Sequence, residues 1–352
     1  MKPILIAGAG LSGLTAAVNL ARAGRNVVVH EQGPTVGVKY GGDFQGFENW
    51  STEMDALGLV RSWGWETTFP HVPFHTVTYY DADLRPYPVT WEKPIFYLTK
   101  RGPFPHALDT HLLQQVQDAG VEVRLKSRVD PEEADIVATG PRGGSVAVVG
   151  ATFPIDLEDQ AHAILDDRLA PGGYTYFLVM RGEVTLAAYF AGPIPRTAFR
   201  DAVARFSSLL NVRVPEDAHR FGGVLGFRLA MPAGDQIHVG EAAGFQDYLW
   251  GFGMRFAMQS GFLAAKALLE GRSYRDMVAE EILPKLKAGL VNRFAYGKMG
   301  NRGYALALRQ FAASPDLPRK LRETYATLTA KHHLFYPLAK RILERGRAHS
   351  LP

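Results

Sequence analysis

The 352-residue chain contains no cysteine. Disulfides, thiolate metal sites and thiol nucleophiles are therefore excluded, and any redox chemistry has to come from a bound cofactor. No segment reaches the roughly 18 uninterrupted apolar residues of a membrane-spanning helix. The chain starts in an apolar strand without a signal-like segment, which makes a cytoplasmic location the default expectation. Internal repeats and low-complexity tracts are missing. So are a Gly-x-Ser-x-Gly elbow, a paired-carboxylate pattern and a metal constellation. The 11 histidines are scattered, and adjacent His332 and His333 on a helix would face different directions. A hydrophobic content of 47% and a charged content of 21% leave an ordinary globular protein, long enough for two domains or for one elaborate domain with an extension.

Charge is unevenly placed. Of the net +4, the stretch from Arg275 to Pro352 carries +9, with 15 Lys+Arg against 6 Asp+Glu, which leaves about −5 for the rest. This basic segment, with Leu, Phe and Tyr interleaved, reads first as a solvated helical face. The other reading is peripheral contact with anionic lipid or an acidic partner. No motif supports nucleic-acid binding.

What the chain does contain is an apolar run, Lys2 to Ala7, then Gly8-Ala9-Gly10-Leu11-Ser12-Gly13 and an Ala/Leu-rich helix ended by Gly24. Asn26 to His30 follows as a second strand, and Glu31 stands at its end, 18 residues after Gly13. Each part has a mechanical task. Gly8 permits the tight turn, Gly10 lets backbone approach a pyrophosphate, and Gly13 lets the helix pack on the strand. The helix N-terminus offers N–H groups and partial positive charge to phosphates. A carboxylate at Glu31 suits the two hydroxyls of a ribose. Strand, glycine turn, helix, strand and terminal acid in this order point to an ADP-containing dinucleotide.

Further along, residues 36–65 read as loops around one helix near Ser51–Leu57, with Ser51 as its N-cap. His75–Tyr80, Arg85–Val89 and Pro94–Thr99 read as antiparallel strands. Pro105–Ala119 is helical by pattern, Gly120 ends it, and Val121–Leu125 and Ala134–Thr139 are strands, the latter closing at Gly140. Ser145–Phe153, Tyr174–Met180 and Thr185–Ala191 form a second strand set, with a hairpin turn at Gly182-Glu183. Arg196–Leu210 is a helix. Gln236–Gly240 is a strand before a long helix from about Gly251 to Leu269, capped by Gly271. From Tyr274 the chain is mainly helical, broken at Pro315-Asp316 and at Pro337. The expected fold is α/β. Residues 1–40, 98–142 and 235–272 form a discontinuous Rossmann-like domain for that dinucleotide. Residues 41–97 and 143–234 form an inserted antiparallel substrate domain, and 273–352 a helical C-terminal segment.

Three segments together resemble the flavoprotein superfamily of geranylgeranyl reductases and aromatic hydroxylases. They are the N-terminal glycine turn, with Ala17 four residues after Gly13; Arg101 with Phe104, Asp109, Leu112, Leu113 and Gly120-Val121-Glu122-Val123; and Gly240-Glu241-Ala242-Ala243-Gly244-Phe245 followed by Gly251-Phe252-Gly253-Met254. The resemblance covers about residues 1–272. It implies FAD as cofactor, with Arg101 near its ribityl and pyrophosphate part, Gly240 and Glu241 at the ribityl chain, and Gly251, Gly253 and Met254 at the pyrimidine end of the flavin. Ala138-Thr139-Gly140 matches the usual strand end at the nucleotide domain. The third segment's spacing favours the geranylgeranyl-reductase branch. The chain also departs from the family pattern. Glu241 stands where an Asp is usual, Tyr248 takes a proline position, and Trp250 and Phe252 replace smaller or polar residues. The cysteine motif of some archaeal members is missing.

The implied activity is FAD-dependent reduction of a C=C bond in a hydrophobic small molecule. The alternatives are a monooxygenase or oxidase of the aromatic-hydroxylase type, and a non-catalytic flavin-binding interaction protein. Without a second Gly-x-Gly-x-x-Gly, NAD(P)H or another external electron donor would bind only transiently. Eleven aromatic residues between Trp50 and Tyr97, with Tyr174, Tyr176, Tyr248 and Trp250, supply the candidates for an apolar pocket. Tyr248 and Trp250 are placed beside the flavin by the motif, with Tyr248 a candidate proton donor. The oligomeric state is left open.

Overall fold

The computed structural model describes residues 2–141, 146–192, 194–225 and 236–344. The chain begins β1 (Ile4–Ala7), α1 (Leu11–Arg22), β2 (Val27–His30), β3 (Phe44–Glu48), α2 (Ala56–Ser62), β4 (Val72–Phe74), β5 (Thr76–Tyr80), β6 (Pro86–Thr90) and β7 (Phe96–Lys100). It continues α3 (Leu108–Asp118), β8 (Glu122–Arg124), β9 (Ile136–Val137), β10 (Val146–Pro154), β11 (Gln160–Ile164), β12 (Tyr174–Met180), β13 (Glu183–Phe190), α4 (Ala198–Leu210) and β14 (His219–Leu225). After β15 (Ile237–His238) and a 3₁₀ turn at Gly240–Ala243 come α5 (Met254–Glu270), α6 (Tyr274–Glu281), α7 (Leu283–Ala312), α8 (Leu317–Tyr325) and α9 (Ala330–Glu344).

Five parallel strands form the nucleotide-side sheet, ordered β15–β9–β1–β2–β8. Val27, Val28 and Val29 are buried without alternation, as suits a strand covered on both faces. Helix α1 reaches the sheet because Gly13 has no side chain: a Cβ there would lie 2.1 Å from the Gly8 carbonyl oxygen. Helix α5 meets α1 on the other side. A Cβ on Gly261 would lie 2.1 Å from the Ser12 carbonyl oxygen, so the two backbones touch. The fold class expected from the sequence, a Rossmann-like sheet with separate antiparallel sheets and a helical C-terminal segment, is the one observed.

A seven-stranded sheet, β14–β10–β13–β12–β11–β5–β6, is antiparallel except for the β5–β11 pair. A three-stranded sheet, β3–β7–β4, lies between the layers. Several sequence expectations shift here. Strands β3, β4, β11 and β14 were not anticipated: Gly46, Pro73 and the Gly222-Gly223 pair break the alternating signal, and β11 is short and polar at its edge. The first short helix starts at Ala56, because the Asp55 carboxylate caps it by accepting from the Leu57 and Gly58 N–H groups. Ser51 is instead held by Glu48. The hairpin turn is Arg181-Gly182, both left-handed at φ 52° and 75°, so Glu183 is already in the strand. Pro337 lies inside α9 rather than ending a helix, whereas α7 is kinked at Gly300, with φ 60°. Residues 142–145 and 226–235, which span the joins of the 143–234 expectation with its neighbours, lie outside the described residues.

The C-terminal helices do more than solvate a surface. Tyr296, Tyr304 and Leu308 of α7 and Leu317 and Tyr325 of α8 share one apolar core with Phe44, Trp50, Phe74, Phe96 and Leu249. A buried ion pair fixes the same region. Arg255 on α5 donates to the Glu48 Oε1 at 2.7 Å, both side chains being nearly inaccessible. Glu48 Oε2 also accepts from the Trp50 and Ser51 N–H groups at 3.1 and 3.0 Å. Glu48 thus holds the turn that carries Trp50. Replacing Glu48 with Ala leaves the Arg255 guanidinium buried and uncompensated. Urea unfolding of the variant should show a loss of about 3–5 kcal/mol; a loss below about 1 kcal/mol contradicts this account.

Candidate functional site

One cavity of about 1080 Å³ runs from the first glycine turn to the aromatic space under α7 and α8. Its volume exceeds the usual range for one small ligand, which leaves room for a cofactor and a substrate together.

At the nucleotide end the glycines differ in their roles. Gly8 is left-handed (φ 107°), and a Cβ there would strike the Ala138 carbonyl oxygen at 2.4 Å. Gly10 lines the cavity, and a Cβ there would meet nothing within 4 Å. That open space at the start of α1 is wide enough for a small anionic group to approach the backbone. Gly10 makes no side-chain cap and the first turn carries no acid, so the leading N–H groups are available to an anion. Gly140 (φ 78°) also lines the cavity with open space beside it. Glu31 lines it too. One Glu31 oxygen accepts from the Ala9 N–H at 2.9 Å and the other from the Gly33 N–H at 2.7 Å. The carboxylate thus braces the glycine turn, and each oxygen keeps a further acceptor site.

Midway, Arg101 is buried in the wall. It forms a bidentate pair with Asp109 at 2.9 and 2.8 Å, donates to the Gln45 Oε1 at 2.7 Å, and lies 4.1 Å from the Tyr40 ring centre. Glu241 also lines the cavity, accepting from Gln246 at 3.0 Å and pairing with Lys39 at 3.4 Å. Gly251, Phe252, Gly253 and Met254 complete this part, and α5 starts there with no side-chain cap and no acid in its first turn. The device that shapes this loop was missed in the sequence. Buried Asp247 accepts from the Leu249, Trp250 and Phe252 N–H groups at 2.9, 3.1 and 2.9 Å. Its only sequence signal is an Asp starting an Asx-type turn. Burial lifts its carboxyl above the ordinary range, while a nearby Tyr325 hydroxyl and these N–H groups pull it down.

That turn also separates the two candidates at 248 and 250. Tyr248 does not line the cavity. Its ring lies in the core of the nucleotide unit, and its hydroxyl donates to the Gly244 carbonyl at 2.6 Å. The proposed proton-donor role of Tyr248 therefore falls. Trp250 does line the cavity, edge-on to Tyr174 (5.9 Å) and Tyr296 (5.2 Å). Gly13 and Gly240 stand behind the wall as packing positions. Gly240 is left-handed, a Cβ there would lie 2.7 Å from Ser12 Oγ, and its N–H donates to Ser260 Oγ.

The far chamber is aromatic. Trp50 meets Phe252 and Tyr325 edge-on at 5.0 and 5.6 Å, and Tyr174 stacks on Tyr189 at 5.2 Å. Of the aromatic residues between Trp50 and Tyr97, Trp50, Tyr79 and Phe96 line the cavity, whereas Trp63, Trp65 and Phe69 fill the nucleotide core. Helices α7 and α8 roof the chamber with Tyr296, Met299, Leu308, Phe311, Leu317 and Leu321. Sequence alone missed this roof. Also missed was Asp43, a buried carboxylate in the lining that accepts from the Gly41 N–H at 3.2 Å and the Gln45 amide at 3.0 Å. Burial pushes its carboxyl up against the pull of Gln45 and Arg101. Among the described residues, no group of three His, Asp or Glu converges as metal ligands.

Comparison with known proteins agrees with this geometry. Residues 3–40 match the FAD binding domain family. That match is confined to the first glycine turn and its flanks, and over most of its length the chain shares the fold of FAD-binding flavoproteins. A geranylgeranyl bacteriochlorophyll reductase-like protein from Thermoplasma acidophilum superposes with a TM-score of 0.67 at 17% identity, over 97% of this chain and 98% of that one. PqsL of Pseudomonas aeruginosa, named as a probable FAD-dependent monooxygenase, gives 0.60 at 17% identity over 87% and 99%. CtdE, solved in complex with FAD and a substrate, gives 0.59 at 13% over 98% and 100%. No curated protein sequence matches the chain.

Gly10→Val places a branched side chain in the open space before α1, where its Cβ meets no protein atom within 4 Å. The variant should fold with an unchanged melting temperature in its apo form, yet be purified without flavin absorbance. Full yellow colour in the variant contradicts the assignment.

Proposed function

We propose that this chain is an FAD-dependent reductase that saturates a C=C bond in a hydrophobic, prenyl-like molecule. The observation that carries the reading is the continuity of the cavity: the space before α1 and α5 opens directly into an apolar chamber. When bound, FAD supplies the hydride chemistry. Gly8, Gly10, Gly140 and Glu31 would hold its ADP end, and Arg101, Glu241, Gly251, Gly253 and Met254 would flank its middle and ring. The open N-terminus of α5 places partial positive charge where negative charge gathers on reduction. The sequence holds no second dinucleotide turn, so NAD(P)H or another donor visits the site and leaves.

The chain's own residues do the remaining work. Trp250, Tyr174 and Trp50 orient an apolar substrate and keep water out. Addition of hydride to one carbon of the double bond requires a proton on the other. Asp43 is placed to give it. Of the carboxylates in the lining, Asp109 is locked to Arg101, Glu241 pairs with Lys39, and Glu31 braces the first turn. Asp43 alone combines burial with a carboxyl held above the ordinary range, and Tyr176 of the chamber lies within its field.

The reading is tested by reducing the purified holoprotein without oxygen and adding a polyprenyl alkene. Reoxidation of the flavin with formation of the saturated product is expected. Oxygen-dependent hydroxylation of an added substrate replaces this reading with a monooxygenase, and inertness to every acceptor replaces it with a flavin-binding interaction protein. Asp43→Asn should lower turnover about 10²–10⁴-fold and leave FAD affinity unchanged. In the unmodified protein turnover falls as pH rises through the Asp43 pKa, because the protonated form is consumed; the variant loses that limb. Trp250→Ala should keep FAD and raise the KM for substrate; unchanged kinetics dismiss Trp250 as a site residue.

A further inference from the structure

Helix α9 presents two opposed rows. His332, Tyr336, Ala339 and Leu343, at spacings of four, three and four, face the body of the protein. His332 joins Asn292 of α7 at 3.1 Å, Tyr336 receives the Lys287 ammonium over its ring, and Tyr336, Ala339 and Leu343 belong to the main core cluster. The outer row is Lys331, Leu334, Phe335, Leu338, Arg341 and Ile342, the i, i+3, i+4, i+7, i+10, i+11 positions of one stripe. Its apolar members are far more exposed than packing requires: Leu334 74%, Leu338 47%, Ile342 43% and Phe335 42%. Single exposed leucines need no explanation, but four large apolar side chains on one stripe of a 15-residue helix do. Both cations of the row, Lys331 and Arg341, are exposed at its two ends.

We propose that this outer face is a docking surface for an anionic lipid bilayer, with α9 lying in the plane of the headgroups. The charge pattern selects this occupant. Aliphatic and aromatic side chains flanked by Lys and Arg fit acyl chains beneath negative headgroups. The row contains no acid, and the whole segment from Arg275 onward carries +9. Position supports the same choice. Helix α9 follows α8, whose Leu317, Leu321, Thr324 and Tyr325 line the chamber roof, so docking sets the apolar chamber beside the phase in which apolar molecules dissolve. No described helix is long and apolar enough to cross a membrane, and this surface asks for none. The inference stands on α9 alone and survives if the redox reading fails.

The test is co-sedimentation of the full holoprotein with vesicles of phosphatidylglycerol and phosphatidylcholine, and with phosphatidylcholine alone. Sedimentation with the anionic vesicles, weakened by added salt, is expected. A Leu334→Asp/Leu338→Asp variant should lose at least about tenfold in partition, and Lys331→Glu/Arg341→Glu should lose binding to anionic vesicles. All four side chains face solvent, so both variants should melt like the unmodified protein and keep their flavin. Failure of the unmodified protein to sediment with anionic vesicles overturns the proposal. So does undiminished binding by the Asp variant. A dimer in light scattering that the Asp variant converts to monomer assigns the face to a second copy of this chain instead.

Discussion

The contact between α1 and α5 governs this structure. The helices come from opposite ends of the nucleotide unit, yet Gly261 lets α5 rest on the Ser12 carbonyl and Gly240 fits beneath the Ser12 side chain. Any larger residue at Gly261 would push the helices apart. Because they touch, two helix N-termini open into one cavity, each without a side-chain cap and without an acid in its first turn. Most helices satisfy those N–H groups internally or with a cap. Leaving both open costs stability unless an anionic or electron-rich group meets them, and a dinucleotide with a reducible ring offers one at each end.

Around this pair of helix ends, buried charges sit at seams between layers rather than within them. Arg101 and Asp109 tie the end of β7 to the start of α3, and Glu48 and Arg255 tie β3 to α5. Buried pairs of this kind contribute little net stability against an apolar alternative. Their geometry is nonetheless specific. Each fixes how the three-stranded sheet sits against the nucleotide unit, and so where Trp50 and Gln45 stand in the cavity wall. Asp247 acts similarly on a smaller scale, folding five residues around one carboxylate so that Trp250 enters the chamber while Tyr248 turns into the core.

The sequence revealed what local geometry determines. The β1–α1–β2 unit was readable because its glycines, its apolar run and Glu31 serve each other within about thirty residues. The start of α5 was readable for the same reason. What escaped depended on partners distant in the chain. Strands β3 and β14 carry glycines whose pairing is set by β7 and β10. Asp43 gains its raised carboxyl only through burial by segments distant in the chain. Tyr248 and Trp250 are two positions apart in one motif, and nothing local tells which enters the pocket. The C-terminal basic composition suggested a solvated face, yet α7 and α8 contribute their apolar sides to the roof, and one α7 cation, Arg293, is itself buried against the Tyr189 and Tyr296 rings.

The roof changes the medium in which the open helix ends act. Tyr174, Tyr176, Tyr189, Tyr296 and Tyr325 are all held protonated by burial, well above the ordinary phenol range. Several spend their hydroxyls on backbone carbonyls: Tyr174 on Trp250, and Tyr296 on Gly173 at 2.8 Å. The chamber wall is therefore made largely of neutral ring faces. In such surroundings the field of an uncapped helix is screened far less than in water. A wall of neutral phenols thus does two things at once. It suits apolar groups better than charged ones, and it strengthens the electrostatic effect of α5 on any group before its N-terminus.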